Sequence, residues 1–194
     1  MFGLWWPRLT SFSDKNGNNT IEPSEIVVTD TAVFNGYTVP VRSVSITNSF
    51  GLFKDRLRLS GMLDYRGGYV SHNVNGLFQC AFRQNCAALH VKGFDLEEQA
   101  KAVAGPRAFG AYGEDATFLR FREFSVQWTL PRTALKLLKS TNATLQVTGR
   151  NLAIWTDFTS WDPENVTSGS DGPNYNFVQQ AQPRQFMMRL NLNY

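Results

Sequence analysis

The sequence is poor in the residues that usually carry chemistry. Its 194 residues include two cysteines and two histidines. His72 and His90 stand apart, and no serine-nucleophile, metalloprotease or phosphate-loop motif occurs around them. There is no run of lysine and arginine, and a net charge of +3 spread along the chain argues against nucleic acid as a partner. No apolar stretch approaches the roughly 18 residues of a membrane helix. That excludes a helical membrane protein but not a membrane β-barrel, whose strands alternate and average out to polar. The N-terminal "MFGLWWPRLTSF" lacks the charged start, apolar centre and small-residue cleavage site of a secretory signal.

Cys80 and Cys86 lie close together in "FQCAFRQNCAAL", with no second cysteine pair or neighbouring histidine to make a zinc site. Two readings stay open: a local disulfide formed in an oxidising compartment, or a pair of inert thiols. A disulfide sits oddly with the missing signal, and this suggests a piece of something longer.

What the sequence does have is alternation. In "FMMRLNLNY", Phe186, Met188, Leu190, Leu192 and Tyr194 share one face, opposite Met187, Arg189, Asn191 and Asn193. The same period sets Leu57, Leu59, Gly61, Leu63 and Tyr65 against Arg58, Ser60, Met62, Asp64 and Arg66. It sets Phe124, Val126, Trp128 and Leu130 against Ser125, Gln127 and Thr129, and Leu145 and Val147 against Thr144, Gln146, Thr148 and Arg150. The pattern predicts an all-β fold of about five long strands near 40–53, 56–68, 117–131, 143–155 and 184–194. Each is long enough to cross a bilayer as tilted β-structure.

Long and short connections alternate. "FKDR" (53–56) is a tight turn, and 131–142 is a short link in which Leu135 and Leu138 fall on one face of a helical turn. Residues 69–115 and 156–183 are long loops, the first with a short helix at "DLEEQAKAVAG" whose Glu97 and Glu98 read as a solvated face. An up-and-down antiparallel sheet with short turns at one end and long loops at the other has the asymmetry of an outer-membrane barrel. Uncharged polar residues and arginine fill the non-apolar face, which suits a wet lumen. Aromatics sit near strand ends at Phe50, Tyr65, Trp128, Phe186 and Tyr194. Five strands cannot close a barrel, so this reading makes the chain an incomplete barrel segment. The alternative is a soluble secreted β-domain, a sandwich or lipocalin-like barrel, that binds calcium or carbohydrate.

"SDKNGNNTIEPSEI" has the spacing of a calcium loop. With Asp14 at position one, Asn16, Asn18, Thr20, Glu22 and Glu25 fall at positions 3, 5, 7, 9 and 12. The flanking segments do not read as helices, so an EF-hand is excluded. Either the loop takes Ca²⁺ weakly, with Asn19 in the turn that glycine usually makes, or it is a polar turn that binds nothing. Three Asn-X-Thr sequons, at Asn18, Asn142 and Asn165, would matter only in a eukaryotic secreted protein. Glu114, Asp115 and Glu123 lie where they could pair with Arg120 and Arg122, and no catalytic set emerges.

The ordered pieces "DKNGNNTI" (14–21), "RLRLSGMLDYRGG" (56–68), "FLRFREFSVQWTLP" (118–131), "GRNLAIWT" (149–156), "DPE" (162–164) and "QPRQFMMRLNLNY" (182–194) resemble the C-terminal end of SusC/RagA-like TonB-dependent outer-membrane receptors. The series covers nearly the whole chain. It departs from the family at Asn18 and Asn19, usually Asp and Gly, and at Tyr194, usually Phe. The resemblance implies about the last five strands of a plugged 22-stranded barrel in the bacterial outer membrane. Residues 1–38 would form an outer loop segment, 39–194 the barrel strands and their loops, and Met1 an internal start of a truncated copy. It implies a non-enzymatic role in glycan or peptide import, with Arg58, Arg66, Gln127, Arg150, Arg189 and Asn191 facing the lumen. Phe186, Met188, Leu190, Leu192 and Tyr194 would signal to the barrel-assembly machinery. Further implied partners are outer-membrane lipid, the rest of the barrel and plug, and a SusD-like lipoprotein. No cofactor beyond Ca²⁺ is implied.

Overall fold

Alternating sequences build a sheet only where neighbouring strands alternate in step, and five segments of this chain do. The computed structural model describes residues 3–165, 175–176 and 180–194. The middle of the predicted loop 156–183, and the last two residues of the Asn165 sequon, lie outside the described residues. In chain order the strands are β1 (Gly3–Trp6), β2 (Leu9–Phe12), β3 (Ile26–Val28), β4 (Val33–Tyr37), β5 (Arg42–Leu52), β6 (Leu57–Gly67), β7 (Val70–Asn73), β8 (Gly113–Asp115), β9 (Phe118–Thr129), β10 (Asn142–Thr156), β11 (Tyr175–Asn176) and β12 (Gln185–Asn193). The α-helices are α1 (Val74–Leu77), α2 (Ala87–His90), α3 (Leu96–Ala104) and α4 (Arg132–Leu138). A π-helical turn (Phe78–Phe82) and a 3₁₀ turn (Phe109–Tyr112) complete the set.

The chain divides into two units, one of residues 42–66, 118–156 and 182–194, the other of the remainder up to residue 181. The first is a single antiparallel sheet in the order β12-β10-β9-β6-β5. These are the five predicted long strands, and the sheet does not close. Its hairpin turn is strained: Phe53, Lys54 and Asp55 are consecutive residues with φ of 54°, 58° and 61°, a conformation costing roughly 1–3 kcal/mol per non-glycine residue. The link 130–141 holds α4, which ends at a left-handed Lys139. Thr141 ties the link to the end of β12, donating its N–H to the Asn193 carbonyl at 2.7 Å.

The second unit is built from short pieces. β1 pairs with β4, β2 with β3, and β7 lies between β8 and β11. None of these short strands is legible from alternation, because two to five residues give too few periods. Helix α3 matches the predicted helix. Asp95 caps it by accepting from the Glu98 N–H at 3.0 Å, Glu97 and Glu98 occupy the positive first turn, and Lys101 pairs with both at 3.1 and 2.8 Å. Its buried face carries Ala100 and Ala104, which pack with Ile21, Ile26 and Ala108 into a small core.

Candidate functional site

The five-stranded sheet is built in cross-strand rows. On one face Arg58, Gln127, Gln146 and Arg189 stand side by side across four strands. The next row is Ser60, Ser125, Thr148 and Met187, and the next Met62, Glu123, Arg150 and Gln185. Arg150 donates from Nε to Glu123 at 2.8 Å. Asn191 stands opposite Thr144 and donates to its hydroxyl at 3.4 Å. Arg66, at the far end of β6, lies 3.6 Å from the Asp64 carboxylate. Arg58, Arg66, Gln127, Arg150, Arg189 and Asn191 thus share one face of the sheet, at different heights.

Beyond Arg150 the ladder is irregular. Pairing passes from Arg150–Glu123 to Ala153–Phe121, so β9 carries the extra residue Arg122 and β10 carries Asn151 and Leu152. Asn151 absorbs the kink at φ 53°. The bulge keeps each face in kind while breaking strict alternation. Arg122 is thereby free to reach Asp64, which is 4% exposed and also accepts from the Ser45 hydroxyl at 2.7 Å. Arg122 pairs with Asp64 and Glu123 with Arg150. Glu114 instead accepts from Asn73, at 2.9 Å, and from Thr159, while Asp115 accepts from the Thr117 N–H. Sequence reading missed the Ser45–Asp64–Arg122 cluster, because only the bulge brings Arg122 to that side.

The opposite face is apolar in every row. Leu57, Trp128, Leu145 and Leu190 form one row, and Leu59, Val126, Val147 and Met188 the next. Phe124 and Phe186 alternate with Gly61 and Gly149. A Cβ on Gly149 would stand 3.2 Å from the Phe186 ring, so glycine leaves room for the phenyl to lie across the strand. Toward the loop end follow Leu63, Phe121 and Ala153, then Tyr65, Leu119 and Trp155. This face is uncovered: Phe186 is 72% exposed, Met188 76% and Ile46 58%. On β12, Leu192 lies between exposed neighbours, and Tyr194 follows the strand's end.

The calcium-like loop is closed by its own backbone. Asp14 accepts from the amides of Gly17, Asn18 and Asn19, Asn16 from Asn18, and Asn18 from Thr20. Asn19 takes the left-handed turn at φ 58°. Glu25, 5% exposed, accepts from the Lys15 and Glu22 amides, and Glu22 from the Asn18 side chain. No set of three or more Asp, Glu, His or Cys converges on a metal position among the described residues. Gln99 of α3 clamps the loop from outside: its carbonyl accepts from Ile21 N–H at 2.9 Å, and its amide donates to the Asn19 and Phe94 carbonyls.

In the same unit a disulfide joins Cys80, in the π-helical turn, to Cys86, which precedes α2. His72 is buried and donates from Nε2 to the Phe109 carbonyl. Burial lowers its pKa, against the opposing pull of that bond and of Glu114. Burial alone would discharge Lys101, but Glu98 and Glu97 outweigh it and raise its pKa. Burial, helped by Glu98, pushes the Tyr112 phenol well up. His90 bonds to the Gln84 carbonyl. These groups hold loops together.

One polar and one apolar face on a long-stranded, open, up-and-down sheet define a stretch of β-barrel wall. No family model matches the chain. Over 98 residues it is 30% identical to the TonB-dependent receptor P26 of Formosa agariphila, covering 48% of this chain and 10% of that protein. Its fold is similar to the RagAB peptide importer in the closed-closed state, with a TM-score of 0.69 over 97% of the chain at 17% identity. A second RagAB peptide transporter structure matches at 0.70 over 98%, with 16% identity. The chain spans 22% of the length of these solved chains. In sequence over these 98 residues it is similar to a TonB-dependent receptor, and in fold to a segment of the RagAB barrel.

Proposed function

We propose that the chain forms part of the wall and outer loops of a nutrient importer in the bacterial outer membrane. The observation that carries this is the contrast of the two sheet faces, with Phe186 and Met188 bare on one side and the arginine rows on the other. An apolar face of this length is stable against lipid and costly in water, at roughly 25 cal/mol per Å² left exposed. A soluble β-domain would need that face inside a sandwich. The turn 53–56 and link 130–141 then face the periplasm. In this reading the cysteine pair lies in an oxidising compartment.

The polar face lines the passage and does no chemistry. Arg58, Arg66, Gln127, Arg150, Arg189 and Asn191 border the route of a small polar substrate. A peptide is favoured over a glycan by the likeness to the RagAB peptide importer. The remaining barrel strands and plug close the pore, a SusD-like lipoprotein caps it, and β12 presents the assembly signal. In this reading loop 14–25 takes Ca²⁺ weakly through the side chains of Asp14, Asn16 and Asn18, the Thr20 carbonyl and Glu22 or Glu25, and so stiffens. Detergent dependence tests the reading. The chain should require lipid or detergent to stay dispersed, and a soluble, cooperatively unfolding monomer in plain buffer rejects it.

A further inference from the structure

Charge is divided unevenly between the two units. All but three of the 16 acidic residues (Asp55, Asp64 and Glu123) belong to the loop unit, whereas 13 of the 19 Lys and Arg belong to the sheet unit. Five of these cations lie at the sheet's turn end. Lys54 and Arg56 lie in the hairpin turn, and Arg132, Lys136 and Lys139 in the link around α4. The single carboxylate there, Asp55, sits 3.7 Å from Arg58.

Two concavities lie at this end. One is a groove of about 550 Å³ on the apolar face, between Leu57, Val126, Trp128, Leu145 and Val147, with Arg56 lining it. The other, of about 350 Å³, is bounded by Arg132, Lys136 and Lys139 together with Leu135, Ser140 and Thr141. Register places the groove next to the link: Leu57 pairs with Trp128, Trp128 with Leu145, the Thr129 amide donates to the Arg56 carbonyl at 2.8 Å, and three residues after Thr129 the chain reaches Arg132. An apolar groove that ends at a guanidinium, on a sheet whose adjoining link carries a hollow of three cations and two hydroxyls, is complementary to an amphiphile with an anionic head.

We propose that the turn end of this sheet holds an anionic phospholipid, its acyl chain along the Leu57–Trp128–Leu145 groove and its phosphate between Arg56 and the α4 cations. The inference rests on the proposed membrane placement, which sets this end against the periplasmic leaflet. A soluble acidic partner would match the cations and leave the groove empty. Trp128 at the groove mouth suits the headgroup level.

The test uses the whole protein that carries these strands, extracted from outer membranes, delipidated in mild detergent and offered phosphatidylglycerol or phosphatidylcholine. Native mass spectrometry should show phosphatidylglycerol retained in preference to phosphatidylcholine. The preference should fall about tenfold or more, which is about 1.4 kcal/mol or more, in the triple variant Arg56→Gln, Lys136→Gln, Lys139→Gln. Arg56→Lys, which keeps the charge, should retain the lipid and guards against a triple variant that fails to fold. Excess inorganic phosphate should not displace it. Equal retention of the two lipids, unchanged retention in a folded triple variant, or displacement by phosphate alone overturns the proposal. A membrane-inserted protein without lipid preference defeats this inference and leaves the importer reading standing. A protein that needs no detergent defeats both.

Discussion

Arg122 reaches the Asp64 carboxylate across the β6–β9 ladder because it is the residue that the bulge leaves without a register partner. Asp64 is nearly inaccessible and is shared with the Ser45 hydroxyl and Arg66. Removing one member of a buried pair strands the other charge, at a cost of about 3–5 kcal/mol. Arg66 offsets part of this, so Arg122→Ala should destabilise the folded receptor by about 2–4 kcal/mol. A double-mutant cycle with Asp64→Asn, followed by urea unfolding in detergent, should recover most of that as coupling energy. Additive single effects would show that the pair contributes nothing.

The two faces of β9 can be compared at adjacent positions. Phe124 lies in an apolar row and Ser125 in a polar one. If the apolar face meets lipid, Phe124→Arg should cost about 2–4 kcal/mol, the penalty for arginine near a bilayer midplane. Ser125→Arg should cost much less. Folded fraction after refolding into liposomes reads the difference. Equal penalties would remove the basis for assigning lipid to the Phe124 side.

Much of this wall was legible in the sequence, and the exceptions have physical causes. Period-two alternation located all five long strands, since each separates wet and dry faces along its length. It could not locate the bulge, because "LRFR" (119–122) alternates apolar and polar without a break and only the doublet Arg122–Glu123 interrupts it. Nor could it place Phe118, an apolar residue that is 1% exposed on the polar side, opposite Arg66. The spacing of loop 14–25 was visible, but its clamp, Gln99, lies 78 positions from Ile21 and gives no local signal. The short strands β1–β4 are held by contacts that alternation does not encode.

That clamp makes a prediction of its own. Gln99→Ala leaves the Ile21 N–H and the Asn19 and Phe94 carbonyls without the side chain they share. A buried donor left unsatisfied costs about 1–3 kcal/mol. Limited proteolysis should then cut within residues 14–25 faster by about tenfold, while the sheet stays protected. Millimolar Ca²⁺ should slow the cleavage, and Asp14→Ala should abolish that protection by removing a carboxylate and the three amide bonds it accepts. If Ca²⁺ gives neither heat in a titration nor protection, the loop is closed by its backbone alone.

The last prediction concerns pH. His72 is buried and neutral, its folded pKa lying below the ordinary 6.5. The unfolded loop unit therefore takes up a proton that the folded one refuses. The stability contributed by the neutral imidazole is complete above about pH 6.5 and declines as pH falls from there toward the folded pKa, since the unfolded state binds more protons over that window. Amide exchange of β7 and the 3₁₀ turn should accelerate as pH falls below about 6.5, after correction for intrinsic exchange rates. His72→Gln keeps a side-chain N–H donor for the Phe109 carbonyl but cannot titrate. It should flatten the pH dependence even if it lowers stability overall. A wild-type profile as flat as the variant's would mean that His72 is hydrated in the folded protein.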